Sequence, residues 1–109
     1  MWAQLLCLAF IPWNADQDYF TTTLAGGDTI GDRDGAGSNA TFNQPAALAI
    51  DTVTMRLYIS DRGNHKVRML DLDTGVVDTF IGGSSAGYAD GVGPEALLDS
   101  PAGVAVDPY

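Results

Sequence analysis

The stretch DRDG, residues 32–35, contains the residue types that most resemble a metal site in this chain. It places two carboxylates one residue apart and follows them with a glycine. Hard cations such as Ca²⁺ prefer carboxylate oxygens held in loops of this composition. No glutamate follows at the position that would close a calcium loop. We therefore predict that the chain holds no metal ion and no cofactor.

His65 is the only histidine in the chain. By itself a single imidazole builds neither a zinc site nor a Ser-His-Asp arrangement, because both need further ligands or partners. We therefore predict no catalytic residue. His65 is expected to pack or to form hydrogen bonds in a turn.

The basic residues are unevenly distributed. The chain has a formal net charge of −9, yet four of its five basic side chains lie between residues 56 and 68. The overall balance disfavours nucleic-acid binding, which needs cations to neutralise phosphates, and it equally disfavours adhesion to an anionic membrane. Two interpretations of the basic cluster stay open, offsetting of the neighbouring aspartates or contact with a partner. The cluster consists of Arg56, Arg62, Lys66 and Arg68.

The sequence repeats itself at a constant offset of 56 residues. Residues 23–51 and 79–107 align without a gap and share 12 identities over 29 positions. An ungapped period of this kind is typical of repeat architectures, and its length suits a four-stranded propeller blade with a long connection. The first members of the identical pairs are Thr23, Gly26, Gly27, Gly31, Asp34, Gly35, Gly37, Ala40, Pro45, Ala46, Ala49 and Asp51.

Strand-length segments separated by turn residues fill the interval between the repeated stretches. No segment shows helical periodicity over the length that a helix needs. We therefore predict an all-β fold with one complete four-stranded blade over residues 46–81. Residues 19–25 match its last strand and residues 102–107 restart its first, which predicts flanking strands of the neighbouring blades. The four predicted strands are AALAID (46–51), RLYISD (56–61), KVRMLD (66–71) and VVDTFI (76–81).

This stretch resembles an NHL repeat, and the resemblance covers about residues 19 to 107. The loop from Asp34 to Phe42 is similar to a common linker between such repeats. The resemblance implies a fragment of a β-propeller, usually six-bladed in this family, whose members include scaffolds, RNA binders, receptor ectodomains and lyases. The positions that match the family pattern are Pro45, Asp51, Tyr58, Asp61, Asn64, His65, Arg68, Thr74 and Gly75.

The duplication provides an internal control on each residue. A residue that the blade needs should recur 56 positions later, whereas a residue that serves one binding site need not. Tyr88 stands where Asp32 would recur, which further weakens a metal site at DRDG. The recurring turn residues and Asp61 of the family pattern are therefore predicted to be structural. The predicted structural signature is Asp34, Gly35, Gly37, Pro45, Asp51, Asp61, Asp90, Gly91, Gly93, Pro101 and Asp107.

A binding surface is predicted at one end of the blade. In a propeller blade the linker before the first strand and the turn between the second and third strands open on the same face. Loop-rich faces of this kind commonly bind partners. The turns at 52–55 and 72–75 are expected on the opposite side. The candidate binding residues are Arg33, Arg62, Asn64, His65 and Lys66.

These observations predict a non-catalytic binding or scaffold module, with protein–protein interaction as its role. The resemblance leaves two alternatives open. One is a fragment of a propeller enzyme, similar to a lactonase or an amidating lyase, whose metal ligands come from several blades. The other is RNA binding, which the net charge disfavours. Because a blade buries both faces against its neighbours, we expect the chain to need further blades or copies of itself for stability.

The N-terminal segment, residues 1–18, differs in composition from the repeat region, residues 19–109. It is apolar from Trp2 to Trp13 apart from Gln4, but too short to span a bilayer. The apolar run suits a secretory signal, whereas the lack of any basic residue before Arg33 does not. A signal peptide and a remnant of a preceding blade both stay open, and so does the compartment. The single cysteine, Cys7, cannot form an internal disulfide.

Overall fold

A computed structural model of the chain describes residues 4–10, 20–83 and 85–107. These residues form seven strands and three one-turn 3₁₀ helices, and none of their helices is long and apolar enough to cross a membrane. The all-β fold class is thus confirmed. The strands are β1 (Gln4–Phe10), β2 (Phe20–Gly26), β3 (Gly35–Ala36), β4 (Pro45–Asp51), β5 (Arg56–Asp61), β6 (Lys66–Asp71) and β7 (Val76–Ile81). The 3₁₀ helices are Gly37–Asn39, Arg62–Asn64 and Gly93–Glu95.

The complete blade is the antiparallel sheet with strand order β3-β7-β6-β5-β4. Its four long strands are those expected from the sequence, and the short strand β3 of the linker adds to the outer edge of β7. Aspartates close two of its turns. The side chain of Asp51 accepts the N–H of Val53, and the side chain of Asp71 accepts the N–H of Asp73, each at 2.9 Å. Such bonds hold the backbone in a tight turn.

The electrostatics of the first turn follow from the same contacts. The hydroxyl of Thr54, together with backbone N–H groups, holds the pKa of Asp51 below its usual value of 3.8. A lowered pKa means that the folded state prefers the carboxylate. The contribution of this turn to stability is therefore present above pH 3.8 and is lost as the pH falls through the lowered pKa.

The hydrophobic core lies on one face of the blade. Leu57, Ile59, Leu70 and Val77 point to this face because residues in cross-strand register alternate sides together. Each is at most 4% exposed. The core is closed by Ala25 of β2 and by two linker residues, Ala40 and Phe42, all completely buried.

The two-stranded sheet of β1 and β2 lies on the N-terminal side of the repeat. β2 precedes β7 by the repeat offset, and its residue Ala25 packs on the core of the blade. Part of the apolar N-terminal segment, Gln4–Phe10, pairs antiparallel with β2. Residues 1–3 and 11–18 of that segment lie outside the described residues.

The second copy of the repeat reproduces the linker backbone of the first. Gly87 donates its N–H to the carbonyl of Leu98 at 3.0 Å, as Gly31 does to Phe42 at 3.1 Å. The left-handed residues recur as well, with φ of 55° at Gly37 and 56° at Gly93. The 56-residue period of the sequence is therefore also a period of the structure.

The segment 102–107 differs from the expected flanking strand. It runs beside the blade, but no strand is formed between residues 101 and 107. The reason is the lack of a pairing strand. The equivalent segment in the first copy is β4, which forms a strand because it pairs with β5, the strand that follows it. No strand follows 102–107 in the part of the chain that the structure describes, so this segment has no such partner there.

Apolar side chains of the inner strand β4 lie open to solvent. Leu48 is 39% exposed and Ile50 is 50% exposed. We expect the 109-residue chain by itself to self-associate or to aggregate, because open apolar faces and sheet edges favour contacts between chains. Size-exclusion chromatography with light scattering measures this. A compact 11.4 kDa monomer that unfolds cooperatively would contradict the expectation.

Candidate binding surface

The linker loop and the β5–β6 turn meet at one end of the blade. The amide of Asn64 donates to the carbonyl of Gly31 at 2.7 Å, and the N–H of Gly63 donates to the carbonyl of Asn43 at 2.8 Å. At the other end the N–H of Leu72 donates to the carbonyl of Met55 at 3.0 Å. The blade therefore has two distinct ends. We call the first the linker face, which consists of turn 62–65 and the parts of loop 28–44 that lie beside it. The middle of the loop runs along β7 toward the other end, where Gly37 donates its N–H to the carbonyl of Gly75 at 3.0 Å.

Asp61, at the end of β5, fixes the linker to the turn. One of its carboxylate oxygens accepts the N–H of Asn43 at 2.8 Å, and the other accepts the amide of Asn64 at 2.7 Å. Gly63 allows the close approach, since a Cβ there would lie 2.5 Å from the Asn43 side chain. These contacts make the linker face a fixed surface rather than two independent loops.

Arg68 lies beneath the linker face and is completely buried. Its Nη1 donates to the carbonyl of Thr41 at 2.7 Å and to the carboxylate of Asp61 at 2.8 Å. Its Nη2 donates to the carbonyl of Arg33 and to the carboxylate of Asp34, both at 2.8 Å. The guanidinium also stands 4.8 Å from the centre of the Phe42 ring, a cation–π contact. One side chain of β6 thus holds the linker at Arg33, Asp34 and Thr41.

The candidate binding residues fall into two groups. Lys66 is only 9% exposed, and its ammonium pairs with Asp32 at 3.2 Å. Asn64 is half-buried and engaged with the linker. Arg33 and Arg62 are exposed, and neither forms an ion pair with any residue that the structure describes. Among these candidates, Arg33 and Arg62 are the ones that present an unpaired positive charge.

His65 connects the blade to the second linker. It has φ of 56° and ends the 3₁₀ turn of residues 62–64 in a left-handed conformation. Its Nδ1 accepts the backbone N–H of Ser100 at 2.9 Å and lies 3.6 Å from the carboxylate of Asp99. Because Nδ1 is the acceptor, this hydrogen bond requires the neutral imidazole with its proton on Nε2. The described contacts of His65 thus join one repeat to the next.

The signature residues predicted from recurrence occupy turns and contact points. Asp34 accepts from Arg68 and from the hydroxyl of Thr79, the latter at 3.2 Å. Gly37 donates to the carbonyl of Gly75 at 3.0 Å. Gly35 has φ of 152°, which favours glycine, and Pro45 begins β4.

The second set of signature residues also lies at turns and close contacts. Gly93 accepts the N–H of Gly82 at 3.3 Å, and a Cβ on Gly91 would lie 3.1 Å from the Ala96 nitrogen. Asp90 is the equivalent of Asp34 in the second repeat. The ion-pair partner of Asp34 is Arg68, which lies 34 residues after Asp34 in the sequence. Pro101 is half-buried, and Asp107 lines a groove of the blade.

From the sequence, Arg68 was expected only as a position of the family pattern and not as the centre of this surface. The signal that could have identified it is the presence of basic residues at alternate positions of a strand, each next to apolar residues. Within the described residues there is no group of three or more His, Cys, Asp or Glu side chains that could hold a metal ion.

Several known proteins are similar to this chain in sequence. No protein-family model matches the chain. NHL repeat-containing protein 2 of Homo sapiens is 37% identical over 62 residues, which are 57% of this chain and 8% of that protein. Its Bos taurus counterpart is 38% identical over 60 residues, which are 54% of this chain and 8% of that protein. The resemblance to NHL repeats is thereby confirmed. The chain folds into one complete blade with parts of the neighbouring blades, which is the arrangement of a β-propeller fragment.

Another protein similar in sequence to this chain is the Arabidopsis thaliana protein SUPPRESSOR OF QUENCHING 1, chloroplastic. It is 35% identical over 91 residues, which cover 76% of this chain and 8% of that protein. The chain thus spans about 8% of the length of the curated relatives it matches.

Solved structures share the fold of these NHL repeats. An auxiliary nutrient binding protein from Bacteroides thetaiotaomicron superposes with a TM-score of 0.72 at 23% identity, over 91% of this chain and 26% of that one. A protein of the same description from Bacteroides ovatus also gives 0.72, at 24% identity over 89% and 26%. At this level of identity the likeness establishes the fold alone.

Proposed function

We propose that this NHL-repeat chain is a non-catalytic binding module that contacts a protein partner through its linker face. The observation that carries the proposal is the presence of two exposed arginines, Arg33 and Arg62, without an ion pair among the described residues. The chain has nine surplus negative charges, so acidic neighbours are plentiful. Arginines left unpaired on one face of such a chain are available to an acidic partner. The linker face carries two of them, whereas the opposite end carries one, Arg56, which lies in register with Asp51 and, together with the Thr54 hydroxyl, helps to lower the pKa of that carboxyl.

The framework of the linker face supports this role. Loop 28–44 is tied to the blade through Asn64, Asp61 and Arg68, whose groups are bonded at 2.7 to 2.8 Å. A surface that is already ordered loses less conformational entropy when a partner binds. The opposite end carries Thr52 and Val53, both exposed, in a turn whose hydrogen bonds among the described residues go to Asp51 and Leu72.

Charge should act mainly on the rate of association. An acidic patch on the partner would be attracted by Arg62, and this attraction falls as salt shortens the screening length to about 8 Å at physiological ionic strength. We therefore expect binding to weaken as the salt concentration rises.

Two charge variants of the intact protein test the proposal. Arg62→Glu should lower retention of the bound partner about tenfold, whereas Thr52→Glu adds the same glutamate at the opposite end and should leave retention unchanged. Affinity purification with quantitative mass spectrometry compares wild type and both variants at low and at physiological salt. If Thr52→Glu abolished the captured set and Arg62→Glu left it intact, the binding face would be the opposite one.

A further inference from the structure

A small polar cavity opens where the first linker begins. Its volume is about 130 Å³, room for roughly four water molecules at ~30 Å³ each. Residues of both charges and three hydroxyl-bearing residues line it. The lining residues are Gly27, Asp28, Thr29, Arg33, Ser38 and Thr41.

Arg33 is the residue of this cavity whose backbone is held most firmly. Its N–H donates to the Thr41 hydroxyl at 2.7 Å, and its carbonyl accepts the Thr41 N–H at 2.9 Å and Arg68 Nη2 at 2.8 Å. Its guanidinium is exposed and has no hydrogen-bond acceptor or ion partner among the described residues. An arginine whose backbone is fixed and whose guanidinium N–H donors are unoccupied is suited to bidentate contact with a planar anion.

The second repeat shows that the fold does not need these polar side chains. Ala89, Pro94 and Leu97 stand where Arg33, Ser38 and Thr41 stand in the first repeat. The loop still closes there, because the backbones of Ala89 and Leu97 exchange two hydrogen bonds of 3.4 and 3.0 Å. Arg33 and the hydroxyls of Ser38 and Thr41 are therefore particular to the first linker, whereas Ser85 keeps a hydroxyl at the position of Thr29. The Thr41 hydroxyl serves the loop itself by accepting the Arg33 N–H, but the recurring fold does not require the Arg33 guanidinium.

We propose that this cavity, the Arg33 cavity, receives the carboxylate of an Asp or Glu side chain from the partner. The inference rests on the proposed function and specifies the chemistry that the linker face recognises. The guanidinium of Arg33 supplies two parallel donors, and the hydroxyls of Thr29 and Ser38 can donate to the remaining lone pairs. Asp28 lines the same cavity, and repulsion from its negative charge disfavours a doubly charged phosphate more than a single carboxylate.

The test uses small probes and the intact protein labelled with ¹⁵N in arginine and threonine. N-acetyl-glutamate amide carries the carboxylate, and N-acetyl-glutamine amide is its neutral isostere. We expect the glutamate probe to shift the Arg33 Nε–H and Thr41 N–H signals in a saturable manner, weakened by salt, and the glutamine probe to shift neither. Equal shifts with both probes would overturn the inference, because the cavity would then not read charge.

Variants of arginine complete the experiment. Arg33→Ala should weaken binding of the glutamate probe about tenfold as followed at Thr29 and Thr41, and Arg33→Lys should weaken it less. Arg56→Ala removes an equally exposed arginine from the start of β5, at the other end of the blade, and should change nothing. Unchanged binding in Arg33→Ala, or tighter binding of N-acetyl-phosphoserine amide than of the glutamate probe, would overturn the proposal.

The failure of this inference and the failure of the proposed function give different results. If Arg62→Glu removes the partner but the glutamate probe does not bind, the linker face stands and the Arg33 cavity does not. If the glutamate probe binds through Arg33 but only Thr52→Glu removes the partner, the cavity stands and the assignment of the partner to this face is wrong.

Discussion

Replacing Arg68 by alanine should destabilise the blade by about 3–5 kcal/mol, the range expected when one partner of a buried ion pair is removed. The substitution leaves the completely buried carboxylate of Asp61 without its cation. It also removes the donors to the carbonyls of Thr41 and Arg33, so the linker loses its attachment to β6. Denaturation of the intact protein by urea, followed by circular dichroism, measures the loss.

The matched control is Arg56→Ala, because Arg56 is the same residue type but exposed at the start of β5. Its effect should stay within about 0.5 kcal/mol, as for most surface substitutions. Combining Arg68→Ala with Asp61→Ala should cost less than the sum of the two single changes, since no unpaired charge is then left buried. Equal stability of Arg68→Ala and Arg56→Ala would show that the buried network does not hold the linker.

Gly82→Ala should cost about 2–4 kcal/mol, because two effects act together. Gly82 follows β7 with φ of 113°, a conformation that alanine adopts only with strain. An added Cβ would also lie 2.6 Å from the carbonyl oxygen of His65 and 2.9 Å from Cα of Lys66. Both contacts are with backbone, so the end of β7 would have to separate from the start of β6. Thermal unfolding of the intact protein measures the loss.

Gly103→Ala provides the control for this substitution. Nothing lies within 4 Å of a Cβ at Gly103, and its φ is not in the left-handed region. The change should therefore be neutral or should stabilise slightly by restricting the unfolded chain. A loss at Gly82 no larger than at Gly103 would mean that the β6–β7 junction can relax around a methyl group.

The strand pattern was predictable from the sequence because each strand of the blade is a short apolar run between turn residues. The side of the sheet toward which each side chain points was not predictable. In β6, Lys66 and Arg68 lie on the same side as Leu70 and are buried, although alternation would place charged residues toward solvent. A blade is covered on both faces, so alternation alone does not identify the side that meets water.

The centre of the candidate site could not be predicted either. Arg68 is recognised by its partners, and two of these are the carbonyls of Thr41 and Arg33. Carbonyl groups are common to all residues, so no residue type in the linker signals that they converge on one guanidinium. Recurrence at 56 residues did identify the linker turns, since left-handed positions such as Gly37 and Gly93 favour glycine and have it in both copies.

The hydrogen bonds of the linker also determine where a blade of this kind can be cut and exchanged. Loop 28–44 is bonded to the blade that follows it through Asp61, Asn64 and Arg68. Among the described residues, the second linker is bonded to the blade before it by fewer hydrogen bonds, one of which runs from Ser100 to His65. The transferable unit therefore begins with a linker and ends with an outer strand, at about residues 27 to 82. A graft cut at the start of β4 would carry Arg68 and Asp61 into the new protein but leave behind the loop that they hold.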